Sequence, residues 1–89
     1  MKIELGGESF NLESLSLNDW VKLEELGVDI TKFNKGVSPS MKDIRALMFI
    51  AISKVSDKTI EWVGDNIDPM NDAELFKQVI NFIAAKESL

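Results

Sequence analysis

The sequence predicts a single α+β domain, mostly α, in which an N-terminal β-hairpin is followed by four to five short helices packed around a central apolar helix. Three observations lead there. Apolar and polar residues alternate on both sides of Gly6-Gly7, the period-two pattern of a hairpin around a two-residue turn. Residues suited to helix capping recur ahead of apolar stretches with helical spacing. The stretch from Met41 to Val55 is apolar on every side, the pattern of a helix enclosed by others. At 89 residues the chain makes one domain, residues 1–89.

The hairpin spans Lys2 to Leu12, with Ile3, Leu5, Phe10 and Leu12 as its apolar positions. Ser16, with Asp19 three residues on, approximates a capping box for the first helix, and Gly27 supplies the left-handed position that ends it. A short turn or helix from Ile30 to Lys35 ends at Gly36. The central helix opens at Ser38-Pro39 or at Ser40 and runs to about Val55, with Met41, Ile44, Met48, Ile52 and Val55 on one side and Phe49 and Ile50 elsewhere. A buried strand over Leu47 to Ile52 is the alternative, and methionine, alanine and leucine after a capped start favour the helix. Thr59 caps a short helix carrying Ile60, Val63 and Ile67, which Asp68-Pro69 interrupts. Asn71 with Glu74 starts the last helix, where Leu75, Phe76, Val79, Ile80, Phe82 and Ile83 share a face opposite Glu74, Lys77, Gln78 and Asn81.

Composition narrows the function. Fifteen acids against ten bases give a net charge of −5, and Arg45 is the one arginine. The lysines are scattered among carboxylates, so no basic face is available to displace phosphate counterions and no nucleic-acid partner is expected. The longest apolar run, Ala46 to Ile52, is too short for a membrane span, and Glu4, Glu8 and Glu13 leave no room for a signal peptide in the first fifteen residues. A soluble protein that stays inside the cell is expected. The chain has no histidine and no cysteine. General acid–base work near neutral pH and thiol chemistry are therefore unsupplied, and no enzyme, cofactor or metal centre is expected. The acidic stretch Asp65 to Asp72 does not fit a calcium loop, because Ile67 and Met70 fall where an oxygen ligand and a glycine belong. Capping by Asp68, Asn71 and Asp72 is its expected role.

Partner-binding candidates are Trp20, Glu24, Trp62, Phe76, Ile80 and Ile83. On the first helix Leu17, Trp20, Val21, Leu23 and Leu26 span an apolar arc of roughly 220°, and Glu24 falls inside it. Such a carboxylate sits at the rim, bonds locally or meets a partner. Trp20 reads as core or as a hot spot, and Trp62 lies off the Ile60, Val63, Ile67 stripe, where a subunit or partner contact is open to it. The apolar face through Phe76, Ile80 and Ile83 is either core or an oligomer contact.

Read together, the hairpin Lys2 to Leu12, the segment Leu17-Asn-Asp-Trp-Val-Lys-Leu-Glu-Glu-Leu-Gly-Val-Asp-Ile30, the run Asp43-Ile-Arg-Ala-Leu-Met-Phe-Ile-Ala51 and the turn Thr59-Ile-Glu-Trp-Val-Gly-Asp-Asn-Ile67 resemble the tail assembly chaperones of long-tailed phages and related proteins of gene transfer agents. The central helix departs from that pattern in being richer in Met, Phe and Ile than in Ala. The resemblance implies a non-enzymatic assembly factor in the bacterial cytoplasm. Such a factor coats the hydrophobic tape measure protein before the tail tube protein polymerises around it, and is absent from the mature virion. It also implies that a chain of this length matches the shorter of two forms made by ribosomal frameshifting. A small structural head–tail or tail component of the virion, and a phage-encoded protein that binds and regulates a host protein, are the alternatives.

Overall fold

The computed structural model describes residues 1–28, 40–68 and 70–87. The chain is α+β and mostly helical. Strands β1 (Lys2–Leu5) and β2 (Glu8–Asn11) pair antiparallel, with Lys2 opposite Asn11 and Leu5 opposite Glu8. Gly6 and Gly7 adopt φ of +59° and +80°. Positive φ at both central residues is the mark of the tight hairpin turn whose twist matches its strands. One further pair closes the open end: the Leu12 N–H donates to the Met1 carbonyl at 2.6 Å, and the Met1 ammonium to the Leu12 carbonyl at 3.3 Å. Ile3, Leu5, Phe10 and Leu12 all point inward, as the alternation predicts.

Helix α1 (Leu17–Glu25) begins in a complete capping box between Ser16 and Asp19. It ends with the Gly27 N–H donating to the Glu24 carbonyl and the Val28 N–H to the Leu23 carbonyl, while Gly27 takes φ of +87°. These two bonds form a Schellman motif, and its usual apolar contact is supplied by Leu23 and Val28, both buried. Helix α2 (Met41–Ser53) opens in a second capping box, Ser40 with Asp43, so Ser40 rather than Ser38-Pro39 is its cap. Helix α3 (Ile60–Asn66) is capped by the Thr59 hydroxyl, which accepts from the Trp62 N–H at 3.1 Å. Helix α4 covers Ala73–Glu87. The expected turn or helix from Ile30 to Lys35, its end at Gly36, Ser38-Pro39 and Pro69 lie outside the described residues.

Helix α2 is the centre. Helices α1, α3 and α4 all pack on it, and its Ala46, Leu47, Met48, Ile50, Ala51 and Ile52 are buried. The strand alternative for Leu47 to Ile52 is thereby replaced by helix. Leu23 and Val28, Val63, and Val79 and Ile83 bring in the neighbouring segments, and the apolar side of the hairpin joins the same core.

Several elements differ from expectation. Helix α2 stops at Ser53 with Lys54 at the C-cap, short of Val55, and its two ends are solvated: Met41 is 65% exposed and Val55 is exposed too. Met41 stands in the first turn and Val55 just past the last, where fewer neighbouring side chains reach them than at the middle of the helix. Helix α4 does not start in an Asn71–Glu74 box. Its first helical bond runs from the Phe76 N–H to the Asp72 carbonyl, and the Asp72 side chain instead accepts from the Asp68 N–H at 2.7 Å. Asp68 accepts from the Met70 N–H at 2.9 Å and the Asn71 side-chain amide at 2.6 Å, so the acids of this stretch organise the turn itself.

Candidate functional site

Two surfaces combine apolar exposure with charge. The first is the outer edge of α1. Only Asp19 and Leu23 of this helix are buried, whereas Leu17 is 78% and Val21 42% exposed. The apolar arc is wider than the interface with α2 can cover, and half of it faces water. Helical spacing puts Glu24 beside Leu17 and Val21 and next to Trp20, which is half-buried at the boundary with the core. Glu24 is exposed and makes no ion pair among the described residues.

This edge is held by an inner anchor. The Asp19 carboxylate accepts from the Ser16 N–H at 2.8 Å, the Ser16 hydroxyl at 3.0 Å and the Lys54 ammonium at 2.5 Å. Burial pushes the Asp19 carboxyl toward a higher pKa. The bonds from Lys54 and Ser16, with the charge of Lys54, outweigh burial and leave it below the usual value of 3.8. The carboxylate that caps α1 therefore also fixes it to the C-terminal end of α2.

The second surface is an open groove of about 580 Å³ between the first turns of α2 and the outer side of α3. Met41, Ile44 and Ile67 supply its apolar lining, Lys42 and Arg45 stand on the α2 wall, and Glu61 and Asp65 on the α3 wall. Gly64 lets the two walls approach closely: a Cβ there would lie 3.0 Å from Arg45 Cδ. The aliphatic stem of Arg45 thus lies against the bare backbone of α3. Among the described residues, no three carboxylates converge to hold a metal.

The six residues singled out in the sequence do not form one site. Trp20 and Glu24 share the α1 edge. Trp62 is half-buried on another side of α3, turned toward the hairpin: its ring meets Phe10 edge-on with centroids 5.9 Å apart. The Lys58 ammonium lies 4.8 Å over the Trp62 ring and pairs with Glu8 at 2.7 Å. Asn66 donates from its side chain to the Trp62 carbonyl at 2.8 Å, and the Gly6 turn seats directly on this pair. Trp62 thus joins hairpin to helix. Phe76 and Ile80 are half-buried on α4, and Ile83 is only 4% exposed within the chain's own core.

Sequence reasoning singled out neither the solvated edge formed by Leu17 and Val21 nor the groove residues Arg45 and Gly64. Two signals were available: an apolar arc too broad for one interface, and a glycine inside the short helix that follows Thr59. Among the described residues, no helix is long and apolar enough to cross a membrane. Comparison with protein-family models, with curated proteins and with solved structures returns no match.

Proposed function

We propose that this chain is a non-enzymatic phage tail assembly chaperone, which binds the tape measure protein in the bacterial cytoplasm, keeps it soluble while the tail tube assembles, and is left out of the mature virion. The observation that carries the reading is the ordered set of four sequence likenesses, from the Lys2 to Leu12 hairpin through Thr59 to Ile67. Two features of the molecule support it. The chain leaves large apolar side chains, Leu17, Val21 and Met41, in water on a small domain. Leu17 and Val21 stand together on α1 beside Glu24, and an apolar patch rimmed by polar groups is the form a contact surface takes. Its net charge of −5 also keeps a protein carrying those surfaces soluble before its client arrives. A long helical client offers many equivalent segments, so weak contacts from several copies add up through multivalency.

The test is co-expression with the tape measure protein of the same phage or prophage. The proposal expects a soluble client that copurifies with several copies of this chain. An insoluble client beside a chain that purifies alone contradicts it, and finding the chain in mature virions favours a structural tail component instead.

A further inference from the structure

We infer that the α1 edge centred on Leu17, Val21 and Glu24 is the docking surface for an amphipathic helix of the tape measure client whose apolar stripe is bordered by lysine or arginine; this rests on the assembly-chaperone reading. Helical spacing places Glu24, Leu17, Val21 and Glu25 within an arc of about 100°, with Trp20 at its margin. The arc holds apolar residues and two carboxylates and contains no base, since Lys22 projects to another side of the helix.

Both carboxylates stand in the last turn of α1, where the helix dipole already places negative charge. Neither makes an ion pair among the described residues. A partner cation would relieve this unfavourable charge, and an apolar stripe beside it would cover Leu17 and Val21. The occupant suits a helix because residues spaced by four form a ridge that packs into the groove of another helix. A second copy of this edge brings no base of its own to meet Glu24 and Glu25. The surface is also rigid enough to be preorganised: α1 is fixed by its capping box, by the Lys54–Asp19 pair and by its Schellman end.

The experiment uses the full chain co-expressed with the tape measure protein, comparing wild type, the double variant Leu17→Glu/Val21→Glu, the double variant Glu24→Lys/Glu25→Lys, and Glu74→Lys on the solvated face of α4 as a control. The charge reversal removes acids from a helix C-terminus, so it keeps or raises the unfolding temperature, which separates loss of binding from loss of fold. Client binding is expected to weaken at least about tenfold in both double variants and to persist in the control. Wild-type binding is expected to weaken as salt rises from about 50 to 300 mM. Equal copurification by wild type and Glu24→Lys/Glu25→Lys overturns the docking surface while leaving the chaperone reading intact. No copurification by wild type overturns both. A wild-type dimer that becomes monomeric in Leu17→Glu/Val21→Glu, seen by light scattering, shows that a second copy covers this edge and overturns the assignment.

Discussion

Of the two ion pairs among the described residues, Lys54–Asp19 is the inner one, with its side chains 21% and 7% exposed, against 26% and 48% for Lys58–Glu8. Replacing Lys54 with Met leaves a buried carboxylate without its charged donor, and a loss of about 2 kcal/mol is expected in urea unfolding at neutral pH. A change under about 0.5 kcal/mol, the range of ordinary surface substitutions, shows that water serves Asp19 as well as Lys54 does. The same pair gives stability a pH dependence. The folded Asp19 carboxyl holds its proton less tightly than the unfolded one, so its contribution is whole above the ordinary value of 3.8 and is lost as pH falls through the lower folded value. Wild type and Asp19→Asn are therefore expected to differ at pH 6 and to converge in the acid range below about 4. The paired glycines provide a second test at this scale. Both have positive φ, but a Cβ at Gly6 would lie 2.7 Å from Asn66 Oδ1 and 2.8 Å from Trp62 Cζ2, while one at Gly7 meets open space. Gly7→Ala is expected to cost about 1 kcal/mol, and Gly6→Ala about 2–3 kcal/mol because the turn must also lift from α3. Equal losses in thermal unfolding contradict the close packing of hairpin on helix.

At the scale of elements, local chemistry was legible where a motif closes on itself. Gly6-Gly7, the Ser16–Asp19 box, the Gly27 stop and the Thr59 cap were all readable because each is satisfied within a few residues. The surroundings of an element were less legible. The apolar pattern of Met41 to Val55 marks a central helix, yet periodicity carries no information on how far neighbouring helices extend along it, so Met41 and Val55 proved solvated. The same limit hid the α1 edge: the arc gave the width of the apolar surface but not the part that α2 covers. At Asn71 and Glu74 a valid capping pattern lost to Asp68 and Asp72, whose side chains accept from the Met70 and Asp68 N–H groups and close the turn that precedes the helix. Helix α3 shows how one short element serves three directions, with Val63 in the core, Trp62 and Asn66 under the hairpin, and Gly64 floored by Arg45. Glycine within a helix ordinarily lowers stability relative to alanine. Because Arg45 is an exposed side chain able to shift, Gly64→Ala is expected to raise stability by about 0.5 kcal/mol while narrowing the groove. A loss above about 1 kcal/mol in the same unfolding assay shows instead that the Arg45 stem is held in place.

For the whole molecule, a core built around α2 and tied to the hairpin through Trp62 leaves the outer edge of α1 and the end of α2 as apolar ground without cover. Of the candidate residues named in the sequence, Glu24 was legible as anomalous because a carboxylate inside an apolar arc needs an explanation. Ile83 was not separable from its neighbours, since core and contact faces of a helix share one spacing. The chaperone reading ties these features together, and the most direct measurement is the stoichiometry of the complex purified after co-expression with the tape measure protein. A soluble client carrying several copies of this chain is expected. A client that remains insoluble, with this chain eluting alone, contradicts it.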